Sequence, residues 1–148
     1  MAAGTGPQDT LEIARQFIDA LNQGDRERFT SYLDENAVWH SAATGEIENG
    51  RDDVSHNLFG YRGEFPDLHE EVSNAFASGD LAAVETDVTG TYEGGEVPSG
   101  AGSARKVHLK LCYILRIHDG KIVDLTTYMD YRTLMVQLDL VMTPTTRP

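Results

Sequence analysis

Cysteine is almost absent: Cys112 is the only one in 148 residues, which excludes an internal disulfide. Basic residues are scarce as well, 12 Lys and Arg against 24 Asp and Glu, for a net charge of −12. The imbalance is uneven: residues 1–100 carry 5 basic against 20 acidic residues (−15), and residues 101–148 carry 7 against 4 (+3). Such a chain repels nucleic acid and anionic membrane surfaces, so neither is expected as a partner. Most of these acids read as a solvated surface. No apolar run approaches the length of a membrane span. The opening Met1-Ala2-Ala3-Gly4-Thr5-Gly6-Pro7 has no basic start and no apolar core. Residues 1–8 therefore read as a disordered lead-in and not as a signal peptide, and the expected location is cytoplasmic. No repeat, low-complexity block or interdomain linker appears.

What is present suits one domain over residues 9–140 with a short tail, 141–148: 16.3 kDa, 40% apolar and 24% charged. Asp9 and Glu12 form a capping-box-like start. Leu11, Ala14, Phe17, Ile18 and Leu21 follow at helical spacing, which predicts a helix over 10–22. Asn22-Gln23-Gly24 stops it, and Asp25 can cap a second helix over 26–33. Residues 37–40 read as a short strand, 45–50 as a turn or hairpin, and 51–62 as a third helix. The period then changes to two. Segments 68–76, 81–92, 106–117 and 121–130 read as long strands, with Asp119-Gly120 as a hairpin turn. Gly94-Gly95 through Gly100-Ala101-Gly102 makes a flexible loop. Helices first and antiparallel strands after is an α+β order. A curved, mostly antiparallel sheet wrapped around its helices would enclose an apolar pocket.

The strand over 106–117 puts Val107, Leu109, Leu111, Tyr113, Leu115 and Ile117 on one face, which must be buried. The strand over 81–92 puts Glu85 and Asp87 side by side on one face. Outside, they are silent; in a dry pocket, one would hold a proton and act as a general acid. One of Trp39 and His40 faces the pocket, and alternation alone does not say which. His69, His108 and His118 show no ligand spacing, so no metal site is expected.

Several short pieces recur in a familiar order. They are Phe65-Pro66-Asp67-Leu68-His69-Glu70-Glu71-Val72, Gly79-Asp80-Leu81-Ala82-Ala83-Val84, Gly90-Thr91-Tyr92-Glu93-Gly94 and Asp119-Gly120-Lys121-Ile122-Val123-Asp124. Tyr128-Met129-Asp130 then runs into Leu134-Met135-Val136-Gln137-Leu138. Over residues 9–140 this resembles the SnoaL-like polyketide cyclase family of the NTF2-like superfamily. The resemblance implies an α+β cone and a homodimer. It also implies cofactor-free acid/base chemistry on an apolar, carbonyl-bearing substrate, for example an intramolecular aldol cyclisation. Asp130 stands where such cyclases carry their general acid/base, ahead of a Leu-x-x-Gln-Leu tail. One desolvated carboxyl can take a proton beside a carbonyl and return one to the new alkoxide. Asp130 is equally suited to cap a helix over 131–138.

The chain departs from these relatives in having Asp139 after Gln-Leu and Leu125-Thr126-Thr127 where a Trp is common. It is similar, more distantly, to limonene-type epoxide hydrolases. Of that group's polar set only Asp87 is matched; Glu85, Thr127, Trp39 and Ser41 hold the other places. No Tyr-Asp pair matches the ketosteroid isomerases. The reading that results has Asp130 moving the proton, assisted by His40 or Asp87. Phe17, Ile18, Leu21, Trp39, Phe59, Leu109, Leu111, Tyr113, Tyr128 and Met129 line the pocket. The competing reading is a non-catalytic binding or dimerisation module, or a relative recruited for hydroxylation or isomerisation.

Overall fold

Helix α1 (Pro7–Gln23) buries Ala14, Phe17, Ile18 and Leu21 along one stripe, as its apolar spacing requires. It stops at Gly24, whose φ of +71° few other residues adopt without strain. Asp25 then caps α2 (Arg26–Ser31) by accepting the Arg28 N–H at 3.0 Å. The computed structural model describes residues 7–93 and 104–140. The lead-in before Pro7, the expected loop from Gly94 to Gly102 and the tail after Leu140 lie outside the described residues.

Six strands form one open sheet, β1 (Leu33–Ser41), β2 (Ile47–Asn49), β3 (His69–Ser78), β4 (Leu81–Tyr92), β5 (Arg105–His118) and β6 (Lys121–Met129). Their order is β2-β1-β6-β5-β4-β3. All neighbours are antiparallel except β1 and β6, which run parallel. Three further helices stand among the described residues: α3 (Arg51–Phe59), α4 (Tyr61–Glu64) and α5 (Tyr131–Gln137). The α+β cone is thus as expected, with three local differences, the first being that α1 begins at Pro7, which puts Asp9 inside its first turn and not at its start. The second helix ends at Ser31 and the first strand begins four residues early, because buried Leu33 pairs with Ile122. The third helix divides at Gly60, the weakest helix former after proline.

Asp119 and Gly120, both at positive φ, close the β5–β6 hairpin in the way this dipeptide favours. A register shift between Arg116 and Ile117 leaves Val123 unpaired, so Ile122 and Leu125 both turn inward. A second shift between Val72 and Asn74 changes parity in β3. Before it Glu70 and Val72 point inward; after it Ala75 and Ala77 do.

Helix α1 lies against β3 and β4, and α3 against β1. Phe17 stacks on Phe29 with centroids 4.2 Å apart and meets the Tyr113 ring edge-on at 6.5 Å. Each fully buried ring contributes about 1.5–3 kcal/mol, and the contacts hold Tyr113 from behind.

Candidate functional site

Glu70 is 5% exposed, an acid in a sheet face whose other buried residues are apolar or carry only hydroxyls. Its position is fixed from two sides. On the backbone side, Asn22 at the end of α1 acts as a substitute edge strand. The Asn22 Nδ2 donates to the Glu70 carbonyl at 2.8 Å, and the Glu70 N–H donates to Asn22 Oδ1 at 2.8 Å. Arg62 fastens the same corner by donating to the carbonyls of Leu21 and Leu68 at 2.9 and 3.0 Å. On the side-chain side, Tyr113 Oη donates to Glu70 Oε1 and Oε2, at 3.0 and 2.9 Å. Thr86 Oγ1 donates to Oε1 at 3.0 Å.

Glu70 and Tyr113 border an apolar cavity of about 70 Å³. Its walls include Leu21, Trp39, Leu109, Leu111, Tyr113 and Met129, six of the residues expected there. Phe65, Leu68, Val88 and Leu134 complete much of the remainder, and Tyr61, 38% exposed, stands at the mouth. The volume holds several waters, so it is a true void and not a packing defect.

Burial pushes the Glu70 carboxyl above the usual glutamate range; the hydrogen bonds from Tyr113 and Thr86 oppose this without cancelling it. The Tyr113 phenol is pushed well above its ordinary value, by burial first and then by the nearby carboxylate charge, so it remains a donor. A carboxyl poised in this way exchanges protons with a bound ligand more readily near neutrality than a solvated one.

The three acid/base residues expected from sequence stand outside this cavity. Asp130 is exposed and caps α5. Its Oδ1 accepts the Thr133 N–H at 3.1 Å and its Oδ2 accepts the Thr133 hydroxyl at 2.7 Å. The Thr133 hydroxyl, then the Thr133 N–H, hold its carboxyl below the usual range, the reverse of a proton donor's need. Asp87 is on the outer face of β4, 2.8 Å from Lys110 Nζ, and that bond lowers its pKa. Glu85 shares this face and accepts from Ser73 and Asn74. His40 points outward, 3.3 Å from Asp124, because strand alternation gives the inward place to Trp39. Among the described residues no cluster of His, Cys, Asp and Glu could hold a metal ion.

Four expected lining residues also lie elsewhere. Phe17 and Ile18 are core residues behind the cavity wall, since only Leu21, at the end of α1, reaches the void. Phe59 packs on Phe29 at 5.5 Å. Tyr128 is 54% exposed on the outer face, since Thr127 and Met129 on either side point inward. Glu70, the acid in the cavity wall, is not singled out by the sequence reading. Its signal was its place between Leu68 and Val72 at period two, an acid in the inward phase of a strand.

A model of the SnoaL-like domain matches residues 14–125. The chain belongs to the SnoaL-like domain family. No curated protein matches this SnoaL-like chain by sequence. Among solved structures it is similar to AclR, a candidate hydroxylase from Streptomyces galilaeus. Identity there is 24%, coverage is 93% of this chain and 89% of that one, and the TM-score is 0.79. It is similar to IdmH, a candidate polyketide cyclase from Streptomyces antibioticus, at 24% identity over 88% and 98% of the two chains, TM-score 0.76. It is also similar to a candidate ketosteroid isomerase from Kribbella flavida, at 25% identity over 85% and 80%, TM-score 0.65. These likenesses support a SnoaL-like fold whose relatives carry several names for their chemistry.

Proposed function

We propose that this SnoaL-like protein is an acid/base enzyme acting on an apolar, carbonyl-bearing, polyketide-like substrate, with Glu70 as the group that moves the proton. One observation carries the reading: a carboxyl buried in a cavity wall, held by Tyr113 and Thr86 hydroxyls and pushed above its ordinary pKa. In its ionised form Glu70 takes the proton from a carbon beside the substrate carbonyl. The C–H electron pair becomes the enolate, and Glu70 becomes the neutral acid. In an aldol closure the enolate carbon bonds to a second carbonyl of the same molecule. The resulting alkoxide then takes the proton back from Glu70. Atoms and charge balance, and the steps use only this chain's carboxyl and hydroxyl groups. Tyr113 steadies the ionised form by donation and, with its own pKa raised, does not lose its proton in the process. Apolar walls keep water from competing for the enolate.

The test is proton exchange on a simple aromatic ketone. Wild-type protein in D2O should accelerate deuteration of the acetophenone methyl group, read by proton NMR. Glu70→Gln should remove the acceleration, by about 10²-fold or more. Undiminished exchange in that variant excludes Glu70 as the base.

A further inference from the structure

Thr127 and Ser41 are cavity-lining hydroxyls, 5% and 8% exposed, and neither takes part in the Glu70 cluster. Each already serves as an acceptor. Thr127 Oγ1 receives the Trp39 indole N–H at 2.9 Å, and Ser41 Oγ receives the Thr44 hydroxyl at 3.0 Å. Among the described residues neither hydroxyl donates to a protein acceptor, so both hydrogens are left to give. A buried donor without an acceptor costs about 1–3 kcal/mol, and a void beside it is where an acceptor would come from.

The sheet register places these groups. Ser41 on β1 pairs with Thr127 on β6, and Thr127 pairs with Tyr113 on β5. Glu70 is on β3, two strands beyond β5. Thr127 and Glu70 are therefore three strand spacings apart, roughly 14 Å across a flat sheet, and are offset further along the strands, because the row through Thr127 and Tyr113 runs on to Val84 and Ala75 while Glu70 pairs with Val88. The lining they share includes Tyr113, which pairs with Thr127 and reaches Glu70 with its hydroxyl, and the apolar Leu109, Leu111, Val88 and Met129. The cavity thus has a polar group at each end and an apolar middle.

We propose that Thr127, with Ser41, forms a second polar subsite that takes a neutral oxygen at the far end of the ligand. This rests on the reading of the cavity as the ligand site, and it selects molecules with two oxygen functions across a flat apolar frame. The oxygen is a carbonyl or hydroxyl and not a carboxylate, because none of the residues lining the cavity is cationic. The Trp39 indole positions Thr127: by donating to Oγ1 it commits the Thr127 hydrogen to the ligand.

Two ketones test the idea, acetophenone and 1,4-diacetylbenzene, with binding measured by ligand-observed NMR. Two identical ends alone give the diketone a twofold advantage. A second hydrogen bond should raise its preference to about tenfold or more. Thr127→Val should return the ratio to about two, while Thr127→Ser should keep it. Should the valine variant fold poorly by circular dichroism, Ser41→Ala, which is less disruptive, should lower the ratio instead. A wild-type ratio near two, no measurable diketone binding, or an unchanged ratio in these variants overturns the proposal. The two readings separate by readout: Glu70→Gln tests methyl deuteration, and the diketone preference is judged on wild type, Thr127→Val and Thr127→Ser. A Glu70→Gln protein that still exchanges protons while that preference holds removes the acid/base role and keeps the subsite.

Discussion

The single hydrogen of the Tyr113 hydroxyl faces both carboxyl oxygens of Glu70, at 3.0 and 2.9 Å. A carboxyl held like this in an apolar wall binds its proton more tightly folded than unfolded. Between the ordinary glutamate value, about 4.3, and the raised one, the unfolded chain has lost a proton that the native chain keeps. Stability should therefore fall as pH rises through that window and level off above it. Urea midpoints taken from about pH 4 to pH 8 should show the decline in wild type and a flatter curve in Glu70→Gln. The same slope in both would mean that Glu70 titrates normally.

Tyr113→Phe keeps the ring that Phe17 packs against and removes only the hydroxyl. Its hydrogen bond lowers the Glu70 pKa, so its loss should raise that pKa further and shift the pH profile of ketone deuteration upward. At neutral pH the rate should drop roughly tenfold, the worth of one hydrogen bond of about 1.4 kcal/mol. A rate loss without movement of the profile would assign Tyr113 a different task.

Asp130→Ala should cost about 1 kcal/mol of stability through the lost cap of α5, and leave ketone deuteration within about twofold of wild type. Asp130→Asn, a comparable cap, should cost less. The Asp130 contribution is present above its unfolded pKa and is lost as pH falls through the lowered folded value. A collapse of the deuteration rate in Asp130→Ala would return this residue to the mechanism.

Asn22→Ala removes both bonds that bracket the Glu70 backbone. The protein should lose roughly 1–3 kcal/mol, and the Glu70 amide should exchange with solvent faster than those of β5. Protection equal to wild type at that amide would show that Arg62 holds the corner alone.

Much of this architecture was legible from spacing. The stripe of α1, the alternation in β4 and β5 and the Asp119-Gly120 turn needed no partner to be read, because each follows from the period of one element. The parallel pairing of β1 with β6 was hidden, since it joins residues far apart in sequence. The site was harder still. Asp130 looked suitable for either of two tasks, and only the position of Thr133 decided between them. Glu85 and Asp87 drew attention as a pair, yet period-two alternation could not say which face of β4 was wet. Glu70 sits among His69 and Glu71, and a short acidic run reads as surface until Leu68 and Val72 are seen to share its phase.

Trp39 is the only tryptophan, and its indole reaches Thr127 on the last strand across 88 residues of sequence. Until β6 is in place beside β1, neither that bond nor one whole wall of the cavity exists. A chain emerging from the ribosome can form its early helices and the β3–β4 hairpin long before this seam closes, so long-range pairing sets the late part of assembly. The indole then reports when that happens: the burial of one fluorophore marks the moment at which a folded scaffold acquires a place to hold a ligand.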